Sequence, residues 1–281
     1  MVDGLILLVG GVATGLFGSL LGLGGGILIV PLLTLGFGLP LLTAVGVSLV
    51  CVIMTSSAAA GVYLERRVAN LRLGMSLELF TAMGALVGGL VAFAIPERVL
   101  ELAFAVLLVY TALTMARRRD PAPPAEAGGA TPAPAGDAPD PQPAATANSL
   151  IDRLSGPGYR IHGLGLGIAG SVVAGVASAL LGIGGGLVKV PVMHVAMGVP
   201  LRVATATSNL MIGITASASA IIYALRGGIH AFVAAPTAIG VFIGASIGSR
   251  IAPRIDLRIL RGLFVVILLY TAWQMLNRAI G

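Results

Sequence analysis

Charged residues are scarce in this chain of 281 residues, which is 57% hydrophobic and only 10% charged. Soluble domains average about 25% charged residues, so the composition excludes an ordinary soluble protein. A single cysteine, Cys51, excludes a disulfide framework or a cysteine-built metal cluster. The sequence contains no GxxxxGK[ST] loop, no HExxH motif and only three histidines. We therefore predict no ATP hydrolysis, no catalytic site, no metal and no cofactor.

Lysine is almost absent as well, since sixteen of the seventeen basic side chains are arginine and Lys189 is the exception. The net charge of +6 does not indicate nucleic-acid binding, because the arginines stand at the ends of apolar runs and form no continuous basic stripe. Acidic residues are rare inside those runs, where Glu78 lies near one helix end. Ion relays usually need a buried acid, so a conventional coupling site is not predicted.

Long apolar runs are what the chain has in abundance, and its mean hydropathy is +1.01. A helix needs roughly 20 mostly apolar residues to cross a bilayer, and alternating ten-residue strands are absent. The runs that qualify are 41–62, 74–95, 99–116, 203–224, 231–252 and 262–277. The prediction is an all-α polytopic membrane protein with the lipid bilayer as a partner.

The two halves of the chain are repeats of each other. A shift of 160 residues aligns LLGLGGGILIVP at 20–31 with LLGIGGGLVKVP at 180–191, with eight identities and Ile29 opposite Lys189. The predicted domains are a first transmembrane repeat 1–118, a disordered Pro/Ala-rich cytoplasmic linker 119–158 and a second repeat 159–281. The repeat also indicates that the first apolar segment is mature structure and not a cleaved leader.

Arginine clusters at opposite helix ends in the two halves. In the first half one set of ends carries Arg66, Arg67, Arg72, Arg117, Arg118 and Arg119, against Arg98 alone on the other. In the second half the other set carries Arg202, Arg250, Arg254, Arg258 and Arg261, against Arg226 and Arg278. If arginine marks the cytoplasmic side, the repeats are inverted, with both termini outside and the linker inside.

Inversion requires an odd number of crossings in each half. Three long runs supply them, so the remaining segment 4–37 has to enter and leave on one side. Its second leg of twelve residues spans about 18 Å, too short for a crossing. Each four-helix repeat is therefore predicted to begin with a Gly-broken re-entrant helical hairpin. Plain parallel four-helix repeats remain the alternative.

The glycine breaks are the predicted anion site. Irregular backbone at membrane depth is tolerated where it is buried in protein or lines a cavity, and the amides of a following half-helix favour an anion. Close helix packing is the alternative explanation of these glycines, but a triple glycine with a following proline, present twice, is more than packing requires. The residues concerned are Gly24, Gly25 and Gly26 with their repeat mates Gly184, Gly185 and Gly186.

Polar side chains near the breaks complete the predicted site. Lys189 follows the second break by one turn, where its ammonium would contact the anion, unless it extends to the interface. Ser48, Ser208 and Asn209 on the next segments are predicted neutral ligands, with interhelical hydrogen bonding as the alternative. The tyrosines, Tyr223 among them, are expected in the interfacial belts.

The glycine motifs and the serine-bearing segments resemble those of the TauE/SafE family, also called the sulfite exporter or toluene-sulfonate uptake permease family. The glycine motifs are LGLGGGILIVPLL and LGIGGGLVKVPVM, and the serine-bearing segments are AVGVSL and ATATSN. The resemblance covers both halves and omits the linker. It implies transport of sulfite, sulfonates or sulfoacetate-like anions across the inner membrane. The glycines and Pro31/Pro191 match the motif, whereas Lys189 falls on a variable position.

The predicted function is a secondary transporter with a small anionic substrate and no nucleic-acid partner. An anion channel and a membrane assembly factor without transport remain alternatives. The particular anion, the direction, the coupling ion and the occurrence of a homodimer stay open at this stage.

Overall fold

The computed structural model describes residues 2–21, 25–65, 69–117, 154–155, 159, 161–251 and 257–280. Helices make up its long elements. They are α1 (Val2–Leu21), α2 (Gly26–Pro31), α3 (Leu41–Glu65), α4 (Leu71–Ala92), α5 (Glu97–Arg117), α6 (Leu164–Leu181), α7 (Gly186–Pro191), α8 (Leu201–Leu225), α9 (Ala231–Ile251) and α10 (Leu257–Ile280).

Seven of these helices, counted within the described residues, are long and apolar enough to cross a membrane. Their outer faces carry large apolar side chains in the open, as with Phe232, which is 96% exposed. Apolar surface on this scale is stable only against lipid or another protein. The predicted class, an all-α polytopic membrane protein, is confirmed.

The two repeats have the same order of elements, but they do not form separate bundles. Helix α1 of the first repeat packs against α9 of the second, and α4 packs against α6 in the equivalent way. The pairs α3 with α8 and α5 with α10 also join the halves. Each repeat therefore buries its apolar faces mainly against the other repeat.

Glycines let the α4–α6 pair approach closely. A Cβ added to Gly84 would overlap the Val172 carbonyl, and a Cβ added to Gly175 would overlap the Thr81 carbonyl. Small residues bring membrane helices together because lipid supplies no hydrophobic drive for association, so contact area has to come from close packing.

Both repeats begin with a helical hairpin. In the second, a Cβ on Gly185 would lie 2.9 Å from the Ala174 carbonyl oxygen, and one on Gly170 would lie 2.7 Å from Val192. At the open end, the His162 amide donates to the Met197 carbonyl at 3.2 Å. The short leg thus folds back along α6 and ends beside the residue where the hairpin began.

The first hairpin shows the same fold-back. A Cβ on Gly25 would lie 3.8 Å from the Thr14 carbonyl oxygen, and one on Gly10 would lie 2.9 Å from Leu32. In both hairpins the short helix widens directly after its proline into a π-helical turn, Leu32–Gly36 or Val192–Ala196. Proline lacks the amide hydrogen and crowds the preceding turn, which disfavours regular α-helix there.

The predicted linker 119–158 lies outside the described residues apart from two positions at its end. Leu154 is buried, and its carbonyl accepts from the Asn70 side chain at 2.8 Å. The Ser155 hydroxyl accepts from the Ile161 amide at 3.1 Å. These two residues therefore belong with the folded part of the chain.

Candidate functional site

The glycine breaks adopt a backbone conformation that other residues rarely reach. Gly25, directly before α2, has φ of 76°, and Gly185, directly before α7, has φ of 73°. Gly184 and Gly182 are also left-handed, with φ of 75° and 68°. A side chain at these positions would be strained. Gly24 lies outside the described residues.

The two breaks meet each other in the interior. A Cβ added to Gly26 would lie 2.6 Å from the Gly182 carbonyl oxygen. The hydroxyl of Ser48, on α3, lies 2.7 Å from that oxygen and 3.3 Å from the Gly26 carbonyl oxygen. Ser48 therefore joins the two breaks by hydrogen bonding across the repeats.

Ser208, the repeat mate of Ser48, has different surroundings. It is 1% exposed and stands beside Gly186, whose added Cβ would lie 3.6 Å from the serine oxygen. Ser178 of α6 is fully buried, with its Cβ 3.4 Å from a Cβ placed on Gly185. Within the described part of the chain, neither hydroxyl has a hydrogen-bond partner.

Two unpaired hydroxyls at one glycine break are unusual, because buried polar groups are nearly always hydrogen-bonded. The break itself is closed by apolar side chains: a Cβ on Gly184 would lie 2.6 Å from Ile212 and 2.8 Å from Val52. Val52 and Ile212 are repeat mates. The arrangement combines neutral donors with a closed apolar environment, which suits an anion once the apolar side chains move aside.

Lys189 is 2% exposed and is held by two partners. Its ammonium donates to Glu78 Oε2 at 2.8 Å and to the Thr215 hydroxyl at 2.7 Å. Thr215 in turn donates to Glu78 Oε1 at 2.6 Å. These three residues, from α7, α4 and α8, form a closed polar cluster that we call the Glu78–Lys189–Thr215 triad.

The triad answers two of the sequence expectations. Lys189 does not extend to an interface, because its ammonium is paired inside the protein. Glu78 is not a helix-end residue at the surface: it is the eighth residue of α4 and 4% exposed, so the interpretation that placed it near a helix end was wrong in this respect. An unpaired charge is costly in a low-dielectric interior, and each of the two offsets that cost for the other.

The sequence contained a signal for this pair. Lys189 aligns with Ile29, and Glu78 aligns with Ala238 through the same shift of 160. Ile29 and Ala238 are buried and apolar. Two opposite charges that both replace an apolar repeat mate are candidates for pairing with each other.

The remaining predicted residues have less specific surroundings. Asn209 is half-buried beside Ser208, and its backbone carbonyl accepts from Ser56 at 2.6 Å. Tyr223 corrects the interfacial-belt expectation: it is fully buried, and its hydroxyl donates to the Ala179 carbonyl at 2.9 Å.

A second buried carboxylate lies on α5. Glu101 is 4% exposed and pairs with Arg278 at 3.1 Å. Arg278 also donates to the Thr34 carbonyl at 2.9 Å. This pair links α5 and α10 to the π-helical turn after α2.

Comparison with known proteins adds the family. A family model described as sulfite exporter TauE/SafE matches residues 7–275. The chain is 25% identical over 232 residues to the probable membrane transporter protein YunE of Bacillus subtilis (strain 168), covering 80% of each protein. It is 26% identical over 224 residues to the probable membrane transporter protein MJ0441 of Methanocaldococcus jannaschii, covering 78% of this chain and 71% of the relative. No solved structure matches it.

Proposed function

Because this chain belongs to the sulfite exporter TauE/SafE family, we propose that it is a secondary transporter of small sulfur-containing anions. The substrates proposed are sulfite, sulfonates and sulfoacetate-like anions, carried across the inner membrane. Its relatives bear the names of probable membrane transporters, and the chain has the apolar helices of a multi-pass membrane protein.

The proposed substrate site is the junction of the two glycine breaks. One observation carries it: the buried hydroxyls of Ser178 and Ser208 beside Gly185 and Gly186, for which the described residues supply no partner. An oxyanion that accepts from both hydroxyls would satisfy two donors that otherwise cost free energy. The amides that follow Gly185 would add donors of the same kind.

Alternating access is the proposed mode of transport. In each hairpin the short leg packs back along the long one. If both hairpins are re-entrant, α3–α5 and α8–α10 are three crossings per repeat, and α6 does not cross although its length and composition would allow it. An odd number supports inverted repeats with re-entrant hairpins, an architecture in which one half rocks against the other around a central site. Val52 and Ile212 would then be the side chains that move to admit the anion.

The proposed function is tested on purified protein in two steps. First, thermal unfolding is followed with sulfite, methanesulfonate, sulfoacetate, taurine, sulfate, bicarbonate and chloride. Second, the anions that raise the unfolding temperature are tested for counterflow in proteoliposomes, where labelled anion outside exchanges for unlabelled anion inside.

Selective stabilisation together with counterflow is the expected result. Rapid flux of the same anion without counterflow would replace the transporter by an anion channel. An absence of both stabilisation and flux across the whole panel would overturn the proposal and favour an assembly factor.

A further inference from the structure

We propose that Glu78 is the proton-binding residue of this transporter, and that the substrate anion and Glu78 alternate as the counter-ion of Lys189. This inference rests on the proposed function and supplies its coupling ion. It predicts symport of one proton with each monoanion.

The geometry of the triad supports an exchange of counter-ions. Lys189 has three ammonium hydrogens, and its described partners, Glu78 and Thr215, take two of them. Thr215 lies seven residues after Ser208 on α8, which is two helical turns along the same face. The ammonium thus contacts α8 on the face that carries the unpaired Ser208 hydroxyl, about 10 Å away along the helix axis, and the flexible lysine side chain would swing toward that hydroxyl when the anion replaces Glu78.

Charge balance then requires Glu78 to bind a proton whenever the anion binds Lys189. With the site empty, the Glu78 carboxylate and the Lys189 ammonium sum to zero in a low-dielectric interior. A monoanion that takes over Lys189 leaves Glu78 as an uncompensated buried charge, which is strongly unfavourable. A proton on Glu78 restores zero charge, so proton and anion enter together, and when they leave together the ion pair forms again.

Among the described residues packed around Glu78, no other group takes over this role. Helix α4 packs against α6 and α8, and α6 carries no ionisable side chain. In α8, Arg202 is thirteen residues or about 20 Å from Thr215 along the helix axis, and Tyr223 donates to a backbone carbonyl. Beyond α7, His194 Nδ1 lies 2.9 Å from the Val199 carbonyl oxygen, and on α4 itself Arg72 is exposed.

The repeat comparison points the same way. At the symmetry-equivalent place, Ile29 of the first repeat and Ala238 of the second stand at the positions of Lys189 and Glu78, and both are buried and apolar. A fold that needed an ion pair here for packing would be expected to use it at both equivalent places. The pair is confined to the break that also has the unpaired serines, which associates it with the substrate.

The experiment uses the full chain in proteoliposomes with a pH-sensitive dye inside. The probe is methanesulfonate, a monoanion that is fully ionised near neutral pH, so any proton that moves has been carried by the protein. Net uptake, internal acidification and counterflow are measured for the wild type, Glu78→Gln and Glu101→Gln. The last is a matched control, because Glu101 is also a buried carboxylate with a basic partner.

For the wild type, we expect one proton per anion, uptake driven by a pH gradient, and no response to an imposed membrane potential. Glu78→Gln keeps the shape and hydrogen-bonding atoms of the side chain but cannot titrate. It should lose acidification and gradient-driven uptake while anion-for-anion exchange persists, because exchange does not require the proton to leave. Glu101→Gln should keep the wild-type proton-to-anion ratio.

Uptake by the wild type without acidification, or acidification at the wild-type ratio in Glu78→Gln, would overturn this inference and leave the proposed transporter standing. An absence of counterflow in the wild type with every anion of the panel, methanesulfonate included, would overturn both. If Glu78→Gln does not fold, the double variant Glu78→Ala/Lys189→Ile reproduces the apolar residues Ala238 and Ile29, which occupy the equivalent positions. It should fold but carry neither anion nor proton, and proton-coupled uptake by it would contradict the proposal.

Discussion

Ser48 and Ser208 are repeat mates on α3 and α8, yet their hydroxyls differ in what they contact. Ser48 lies within hydrogen-bond distance of carbonyls from both breaks, whereas Ser208 is buried without a partner among the described residues. A buried hydroxyl without a partner lowers stability, and one that joins two segments raises it. At the scale of single residues, the two repeat mates thus differ: Ser48 bonds within the protein, and Ser208 is the serine that we propose binds the anion.

Ser208→Ala should not lower the free energy of unfolding of the ligand-free protein. It should raise it by at most about 3 kcal/mol, because it removes an unsatisfied buried donor. It should also reduce the stabilisation by sulfite or methanesulfonate. Ser48→Ala serves as the comparison and should lower stability without ligand. Thermal unfolding with and without anion measures both. If Ser208→Ala destabilises the protein and leaves the anion effect intact, Ser208 is not a ligand.

Removing one charge of the triad should be worse than removing both. Lys189→Ile alone should cost about 3–5 kcal/mol, since it leaves Glu78 buried without its counter-ion. Glu78→Ala/Lys189→Ile should recover most of that loss. A double-mutant cycle in denaturant, with Glu78→Ala as the fourth corner, measures the coupling. Additive losses would mean that the two charges do not stabilise each other.

At the scale of elements, close contact between α4 and α6 holds the second hairpin against the first repeat. Glycine spacing along the helices allows this approach, as at Gly84 and Gly175. The short leg of each hairpin differs from the long helices in length, since it consists of six α-helical residues followed by a π-helical turn. Segments this short are stabilised by tertiary packing and not by helix propensity, so their position depends on the long helices around them.

Gly175→Ala should lower stability by about 1–3 kcal/mol, because the added methyl group would overlap the Thr81 backbone. Gly165→Ala on the same helix is the matched control, since a Cβ there would meet nothing within 4 Å. That control should be neutral or slightly stabilising, because alanine favours helix over glycine. Equal losses for the two variants, measured by thermal unfolding in detergent, would contradict the packing argument.

At the scale of the whole molecule, the halves are joined by the pairs α1–α9 and α4–α6. Neither repeat can bury its first helix without the other, so the two halves should fold as one unit. If both hairpins are re-entrant, as proposed, three crossing helices remain in each repeat, α3–α5 and α8–α10. This number predicts opposite orientations for the two halves and therefore opposite sides for the linker and the termini.

Single cysteines test that topology in a Cys51→Ala background. Gly281→Cys should react with a membrane-impermeant maleimide added to intact spheroplasts, whereas Ala130→Cys in the linker should react only after lysis. Charge bias predicts this arrangement because arginine-rich loops stay cytoplasmic. If both cysteines react on the same side, the repeats are parallel.

Much of the architecture follows from the sequence alone because its causes are local. Helix length follows from apolar runs, and the breaks at Gly25 and Gly185 follow from glycine's freedom at positive φ. The repeat follows from direct alignment, and the family follows from the doubled motif. Tyr223 shows the limit of such reasoning, because a position near a helix end does not reveal which neighbours bury it.

The side-chain partners were decided by the tertiary structure. Glu78 and Lys189 are separated by 111 positions, and they meet only because α4 of one repeat packs on the hairpin of the other. The same holds for Ser48, whose bond to the Gly182 carbonyl spans 134 positions. Hydropathy and backbone preference act over a few residues, whereas a buried ion pair depends on which helices exclude water together. The sequence therefore determined the elements and the location of the break, and the packing of the repeats determined which charges pair and which hydroxyls lie beside the break.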